Sequence, residues 1–310
     1  MWRQLLLFST VMRNIGDAFL VFIGIIQSFV KLMVWRPDVV FTKGGYVCLP
    51  VGIAARWLRI PLVIHDSDAH PGLTNRILAK WATSIATGAP LEYYPYPKEK
   101  TTYVGVPTRK LYTPFSKMER HAAKQEWGLA TNKPLIVVTG GGLGAKRMND
   151  TVVAVLKDLM KIGSVVLISG ESHYDELRRQ VPENSEDFQL YAFVSGVYSL
   201  FGAADVVVTR AGATTILELA ALERPTILVP NAKLTGGHQV KNAAVYSEAE
   251  AVVVLNENTL AERPATLVKA VKQLIDNPKE ADKMAHRFGK FAKPEAAADM
   301  AKIIIKNAKR

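Results

Sequence analysis

Cysteine is almost absent from this sequence, and internal repeats and low-complexity tracts are missing. The single thiol, Cys48, excludes an intramolecular disulfide framework and is typical of proteins from a reducing compartment. With 49% hydrophobic and 22% charged residues over 310 positions, the composition excludes a disordered chain. It indicates a globular protein of about two domains.

Acidic residues are outnumbered, and the imbalance is uneven along the chain. The sequence has 39 Lys and Arg against 28 Asp and Glu, and residues 1–125 hold 16 of the basic residues but only 7 of the acidic ones. Such a surplus favours an anionic partner. Nucleic acid, anionic lipid and a phosphorylated substrate all fit, as does a basic surface that is merely solvated.

Long hydrophobic runs are scarce, and only the stretch from Ala18 to Val30 is strongly apolar. As a helix it reaches about 20 Å, short of the ~30 Å hydrocarbon core, so we predict that it does not cross a membrane. Helical spacing instead indicates a helix that docks on a membrane surface, with an ordinary core helix as the alternative. The predicted docking residues are Phe19, Phe22, Ile23, Ile26 and Phe29.

Short β-branched runs alternate with amphipathic helices, a pattern typical of parallel sheets in α/β proteins. We predict an N-terminal domain over 1–109 and a doubly wound, Rossmann-like domain over 110–292. Only three strands are evident in the first domain, which is therefore predicted to be incomplete. The predicted strands are 38–42, 62–65 and 84–86 in the first domain and 135–138, 165–169, 206–209, 226–229 and 252–255 in the second.

A glycine turn follows the first strand of the second domain. Gly140 and Gly142 open a helix whose N-terminus can hold a diphosphate. The same segment satisfies a loose dinucleotide fingerprint, in which Glu171 would accept ribose hydroxyls. A plain tight turn is the remaining alternative.

A second turn leads into a helix that starts near Thr214 and Thr215, whose hydroxyl and N–H groups can bind phosphate oxygens. Glu218 lies four residues after Thr214 on the same helix face, where its carboxylate can accept both ribose hydroxyls. It could instead simply complement the helix dipole. The loop after the next strand offers three side chains for hydrogen bonds to a sugar: His238, Gln239 and Asn242.

In the first domain, two polar turns leave strands for helices and are expected to line one cleft. The second contains four residues of metal-ligating type, but no cysteine and no distant third cluster supports them. We favour a helix cap with cleft lining and predict no metal site. The four residues are His65, Asp66, Asp68 and His70.

Ten short motifs stand in a consistent order and spacing along the whole chain. They are Arg36-Pro-Asp-Val-Val, Lys43-Gly-Gly-Tyr, Ile60-Pro, His65-Asp-Ser-Asp, Pro71-Gly-Leu-Thr-Asn, Val104-Gly-Val-Pro, Gly140-Gly-Gly-Leu-Gly-Ala, Ala204-Asp, Arg210-Ala-Gly-Ala and His238-Gln-Val-Lys-Asn-Ala. Together they resemble the bacterial peptidoglycan N-acetylglucosaminyltransferases of glycosyltransferase family 28. Several independent motifs in register make a chance match improbable.

The resemblance implies a GT-B fold and an inverting transfer that uses no metal cluster or other cofactor. It implies UDP-GlcNAc as the donor, an undecaprenyl-diphosphate-linked acceptor and no nucleic acid. It also implies a peripheral protein on the anionic, cytoplasmic face of the cell membrane. The apolar helix coincides with the family's docking patch, and the last helix, about 293–310, resembles a segment that packs on the N-terminal domain.

The resemblance also assigns roles by position. It implies that Arg109 follows the interdomain motif, Gly142 lies on the diphosphate loop, Val194 lies beside the uracil, Glu218 binds the ribose and Gln239 binds the GlcNAc hydroxyls. The phosphates would lie along the helix start. The remaining predicted substrate-binding residues are Asp68, Ala213, Thr214, Thr215, Ile216, Leu217 and His238.

Three departures from the family pattern matter. The family's opening strand and its Gly-rich loop ending in His have no counterpart, so the catalytic base is unassigned and is expected on that loop. Asp68 replaces an amide, and its carboxylate would repel an anionic substrate unless it is protonated or paired. Gly142 replaces a serine and retains only the backbone N–H.

We therefore predict the transfer of GlcNAc from UDP-GlcNAc to the lipid-linked muramyl-pentapeptide, which converts lipid I to lipid II in peptidoglycan synthesis. The missing loop is expected from sequence upstream or from a partner chain. Two alternatives stay open. One is a non-catalytic or partner-dependent UDP-sugar-binding protein at the membrane, and the other is a UDP-GlcNAc epimerase on the same fold.

Overall fold

The computed structural model describes residues 8–141, 145–232 and 235–308. The chain forms two compact units, one of residues 1–104 with 297–310 and one of residues 105–296. The predicted division, at residues 109 and 292, lies five and four residues from these bounds. Each unit contains its own parallel sheet, which confirms the predicted α/β class with two Rossmann-like domains.

The first unit is built on a parallel sheet in the order β1-β2-β3-β4. Its fourth strand was not predicted, because three residues that follow a charged turn carry no apolar run. The buried face of the sheet holds Leu62, Ile64 and Ile85, which are fully buried or nearly so. The elements are α1 (Phe8–Trp35), β1 (Val40–Thr42), α2 (Cys48–Trp57), β2 (Leu62–Asp66), α3 (Leu73–Leu78), β3 (Ser84–Thr87) and β4 (Thr101–Tyr103).

The observed length of α1 corrects the prediction that the apolar stretch is too short to cross a membrane. The helix has 28 residues, and its segment Gly16–Trp35 is long and apolar enough, by length and composition only, to cross a membrane. The stretch was judged too short because it was ended at Val30, whereas the helix continues past Lys31. Twenty residues at ~1.5 Å each match the ~30 Å hydrocarbon core.

One side of α1 packs on the rest of the first unit. Leu32 is buried in a hydrophobic cluster that also contains Val40 and Ala54, and Phe29 packs against its edge. Further along, Gly24 lies so close to α2 that a Cβ at this position would be 3.2 Å from Pro50 Cγ. The opposite side of the helix is left exposed.

The second unit contains a six-stranded parallel sheet in the order β10-β9-β8-β5-β6-β7. Every residue of β8, β5 and β6, three adjacent interior strands, is buried, as a parallel sheet covered on both faces requires. β7 was not predicted, because its four residues alternate Gln189 and Tyr191 with apolar residues. The strands are β5 (Leu135–Thr139), β6 (Ser164–Ile168), β7 (Phe188–Tyr191), β8 (Val206–Thr209), β9 (Thr226–Leu228) and β10 (Val253–Val254).

Helices connect these strands, and two of the described ones begin at a side-chain cap. Ser116 and Glu119 form a reciprocal capping box at the start of α4, and the Asn256 side chain caps α11. The helices are α4 (Lys117–Glu126), α5 (Lys146–Ala154), α6 (Leu156–Met160), α7 (Glu171–Arg178), α8 (Tyr198–Ala203), α9 (Ala213–Ala221), α10 (His238–Glu248), α11 (Glu257–Glu262), α12 (Ala265–Asp276), α13 (Pro278–Gly289) and α14 (Ala296–Asn307). Most of α14 belongs to the first unit, where Asn307 Nδ2 donates to Ser84 Oγ at 3.0 Å.

Candidate functional site

A cavity of about 450 Å³ opens at the carboxyl ends of the second unit's strands. Parallel α/β sheets bind ligands at this edge, because the turns into the following helices expose N–H groups there. The lining combines two carboxylate-bearing helices with two glycine turns and an apolar wall. It consists of Thr139, Gly141, Ile168, Gly170, Glu171, Ser172, Ala192, Phe193, Val194, Val197, Phe201, Thr215 and Glu218.

Glu218 is the carboxylate of α9 that faces this cavity. Burial raises the pKa of Glu218 above its ordinary value of 4.5, while a hydrogen bond from the Tyr112 hydroxyl and the positive charge of Arg109 partly counteract that rise. The Tyr112 ring is held edge-on against Tyr198, with the centroids 6.4 Å apart. The structure therefore brings Arg109 and Tyr112 close enough to Glu218 to act on its carboxylate.

The start of α9 presents free donors to the same region. The helix begins after Gly212, and Ile216 is the first residue whose N–H bonds back into the turn, donating to Gly212 O at 3.0 Å. The N–H groups of Ala213, Thr214 and Thr215 thus lack an acceptor within the helix. Three such groups at a helix N-terminus form an anion site.

Ile216 and Leu217, in the segment predicted to lie along the phosphates, have buried side chains. Their side chains are 0% and 3% exposed and pack into the interior, and the helix uses the Ile216 N–H. Both residues anchor α9 on the core. The N–H groups without an acceptor in the helix are those of Ala213, Thr214 and Thr215, and the role of Ile216 and Leu217 along the phosphates stays a prediction.

The turn after β5 forms a second side of the cavity. Gly141 has a φ of +77°, which favours glycine, and its N–H donates to Thr139 Oγ1 at 3.2 Å. Gly142 lies outside the described residues. Below the turn, Asn149 of α5 donates to Ser169 O at 2.9 Å and ties this helix to the end of β6.

The apolar wall follows β7. Val194 is buried at 8% exposure, whereas the neighbouring Phe193 ring is 64% exposed at the rim of the cavity. Glu171, the alternative ribose acceptor, lines the opposite side at the start of α7. Val194, Thr215 and Glu218 are the predicted site residues that the structure places on one cavity.

The predicted sugar-binding residues lie at the start of α10 and in its first turns. They are not among the described residues that line the cavity. Gln239 Oε1 accepts the Asn231 N–H at 2.9 Å, and Asn242 Nδ2 donates to Ala211 O at 3.0 Å. Asn242 thereby fixes the turn before α9. His238 is half-buried and folds back over Gly236.

The polar turn of the first unit is organised around Asp66. Its carboxylate accepts from the Tyr96 hydroxyl, from Asn75 Nδ2 at 2.7 Å and from the Gly72 N–H, and burial raises its pKa despite these bonds. Asp68 is half-buried beside it, and its carbonyl accepts from Tyr94 at 2.7 Å. Among the residues that the structure describes, no three His, Cys, Asp or Glu side chains converge as metal ligands would.

The predicted docking residues on α1 divide into two groups. Phe19, Phe22 and Ile26 are 62%, 57% and 49% exposed. Ile23 is half-buried, and Phe29 packs against the hydrophobic cluster and edge-on to Trp57. The exposed group continues toward the helix end with Val30, Met33 and Val34.

Sequence reasoning missed three aromatic residues. Tyr112 and Tyr96 follow no periodic pattern, and their partners, Glu218 and Asp66, lie 106 and 30 residues away in sequence, respectively. Phe193 directly precedes the predicted Val194, and an aromatic residue at the carboxyl end of a strand was the signal that could have revealed it.

Comparison with known proteins identifies the family. The model of the glycosyltransferase family 28 N-terminal domain matches residues 6–87, and that of the C-terminal domain matches residues 135–300. A Bacillus cereus protein named UDP-N-acetylglucosamine--N-acetylmuramyl-(pentapeptide) pyrophosphoryl-undecaprenol N-acetylglucosamine transferase 2 is 33% identical over 268 residues, 86% of this chain and 74% of the relative. The transferase of the same name, without the number, from Thermoanaerobacter sp. strain X514 is 33% identical over 91% of this chain and 78% of the relative.

Solved structures agree on the fold. Acinetobacter baumannii MurG superposes with a TM-score of 0.76 at 24% identity, covering 93% of this chain and 79% of that one. UDP-GlcNAc 2-epimerase from Neisseria meningitidis gives 0.66 at 14% identity, over 94% and 82%. At these identities the likeness establishes the GT-B type of fold, whereas the family models and the curated relatives establish membership. The chain therefore belongs to glycosyltransferase family 28.

Proposed function

We propose that this protein is an inverting transferase that moves GlcNAc from UDP-GlcNAc to an undecaprenyl-diphosphate-linked muramyl-pentapeptide in peptidoglycan synthesis. The observation that carries the proposal is the cavity in which Glu218 and the free N-terminus of α9 lie together. A carboxylate that accepts ribose hydroxyls and a helix N-terminus that binds phosphate match the two polar parts of a UDP-sugar. The names of the curated relatives supply the sugar and the acceptor.

The donor is proposed to lie across the cavity. Its diphosphate would bond the N–H groups at the start of α9 and the turn at Gly141, and its uracil would lie at Val194 against the apolar wall. Its ribose would bond Glu218, and its sugar would extend toward Gln239. In the inverting reaction, the acceptor hydroxyl attacks the anomeric carbon from the face opposite UDP, UDP leaves with the bonding electron pair and a base takes the hydroxyl proton. No described residue is assigned as that base.

The acceptor is anchored in lipid, and α1 is proposed to bring the first unit to it. The exposed apolar side chains of α1 would enter the headgroup region while its other side stays packed on α2. We therefore propose a peripheral location on the cytoplasmic membrane face, although the length of α1 alone would permit a span.

The test is a transfer assay with radiolabelled UDP-GlcNAc and a lipid I analogue, run beside calorimetry of UDP binding and chromatography of the nucleotide sugar. Label in the lipid product supports the proposed transferase. UDP binding without transfer supports a partner-dependent or non-catalytic binding protein instead. Conversion to an epimeric UDP-sugar without acceptor supports the epimerase, whose fold this chain shares.

A further inference from the structure

A second polar pocket, of about 270 Å³, lies in the second unit away from the cavity described above, with no residue in common. One face of α4 supplies most of its lining. Four residues with nitrogen-bearing side chains are spaced three or four positions apart, which places them on the same side of the helix. The lining consists of Lys117, Arg120, His121, Lys124, Thr131 and Asp205.

The acidic residue in this pocket already accepts three hydrogen bonds, two of them from cationic side chains. Asp205 Oδ1 accepts from Arg120, and Asp205 Oδ2 accepts from Lys124 at 3.1 Å and from the Leu135 N–H at 2.7 Å. Although burial opposes ionisation, Arg120 and Lys124 hold the pKa of Asp205 below its ordinary value. The carboxylate is therefore ionised at neutral pH and pairs with both Arg120 and Lys124.

Positive charge exceeds negative charge around Asp205. Lys124 and Arg224 are 7% and 9% exposed, and the guanidinium of Arg224 donates to the carbonyls of Leu222 and Ala204. Burial and then the charge of Arg120 lower the pKa of Arg224 to about 10, against the weaker opposing effects of Asp205, Asp282 and Glu223. Asp282 is exposed, and Glu223 also pairs with His286.

The rim of the pocket adds a lysine and a histidine. Lys117 and His121 are exposed at its edge, one helical turn apart. Inside, Arg120 Nε is buried and has no hydrogen-bond partner among the described residues. Buried cations that share one carboxylate are costly unless an anion compensates them.

We propose that this pocket, formed by Lys117, Arg120, His121 and Lys124 around Asp205, binds a phosphate group. A phosphate offers several acceptor oxygens and one or two negative charges, which fits guanidinium and ammonium donors that surround an open space. The phosphate can belong to a soluble anion or to a lipid headgroup. The site is independent of the nucleotide, whose proposed cavity uses other residues.

The test uses the whole protein saturated with UDP, so that the first cavity is occupied. Inorganic phosphate, compared with chloride at equal ionic strength, should raise the Tm by about 3–5 °C at ten times its dissociation constant. The rim variant Lys117→Ala/His121→Ala, which leaves the bonds of Asp205 intact, should lose most of this rise. The control Lys269→Ala/Lys279→Ala removes two exposed lysines elsewhere in the unit and should keep it.

Vesicles of phosphatidylglycerol distinguish the two sources of phosphate. Weaker vesicle binding by the rim variant than by the control variant would assign the site to lipid phosphate, and equal binding would assign it to a soluble anion. The absence of a phosphate-specific Tm rise, or an equal rise in the rim variant, would overturn the proposal.

Discussion

At the scale of single residues, burial and hydrogen bonding have opposite effects on the pKa of the carboxylate in the candidate site. Burial raises the pKa of the Glu218 carboxyl, and the Tyr112 hydroxyl and Arg109 act in the opposite direction. The positions of Glu218 and Thr215 could be predicted from the sequence, because both residues follow a recognisable strand, glycine turn and helix start. The contribution of Tyr112 was not, because a contact across 106 residues leaves no local pattern.

Glu218→Ala should weaken UDP-GlcNAc binding by about 1.5–3 kcal/mol, the range for hydrogen bonds to a charged group. In the unchanged protein the affinity should fall as the pH is lowered, because the ribose needs the ionised carboxylate and the folded-state pKa is raised. Calorimetry between about pH 4.5 and 7 measures both effects. Glu218→Gln should remove the pH dependence, and a dependence that persists in this variant would contradict the ribose assignment.

Tyr112→Phe removes the hydroxyl that donates to Glu218 and keeps the ring against Tyr198. We expect UDP-GlcNAc affinity to fall about 2–10-fold at neutral pH, the range for one hydrogen bond, and the midpoint of its pH dependence to move upward. The upward shift follows because Tyr112 lowers the pKa of Glu218. Tyr198→Phe is the matched control, and tighter binding by Tyr112→Phe would show that the hydroxyl competes with the ligand.

At the scale of elements, the sequence predicted long periodic segments better than short or polar ones. The buried strands β5, β6 and β8 and the helix α12 were predicted within one residue at each end. The strands β4 and β7 were missed because polar residues interrupt them and neither contains a continuous apolar run. The end of α1 was misplaced because a charged residue, Lys31, was taken as its limit although an exposed helix face accommodates a charge.

Phe22→Ser/Ile26→Ser should reduce the binding of the protein to phosphatidylglycerol vesicles strongly, because both side chains are about half exposed on α1 and would lose apolar contact with the bilayer. Cosedimentation measures the bound fraction. Ile305→Ser, at 73% exposure on α14, is the matched control and should leave binding unchanged.

Extraction at alkaline pH distinguishes a docked helix from a spanning one. We expect the wild-type protein to be released from membranes, because α1 is proposed to lie in the interface plane. Retention after extraction would indicate that Gly16–Trp35 crosses the bilayer. Vesicle binding that survives the Phe22→Ser/Ile26→Ser change would contradict the assignment of this face.

At the scale of the whole molecule, the two units carry different chemistry. The second unit holds the cavity with Glu218 and the helix N-terminus of α9, whereas the first unit holds the exposed face of α1 and the turn organised by Asp66. The motifs identified the family from their order along the chain. They did not distinguish ligand contacts from core packing, since Ile216 and Leu217 belong to a binding motif and yet point inward.

This division predicts separate responses to the two ligands in amide hydrogen exchange. If UDP binds the cavity of the second unit as proposed, it should slow exchange at the start of α9, at the turn around Gly141 and in residues 192–197, with little change in α1. Phosphatidylglycerol vesicles should slow exchange in residues 16–35 and leave the turn at Gly141 unchanged. The Phe22→Ser/Ile26→Ser variant should lose only the protection by vesicles. The Glu218→Ala variant should lose only the protection by UDP. Protection of α1 by UDP alone would contradict the assignment of donor binding to the second unit, because the described lining of the cavity comes from the second unit.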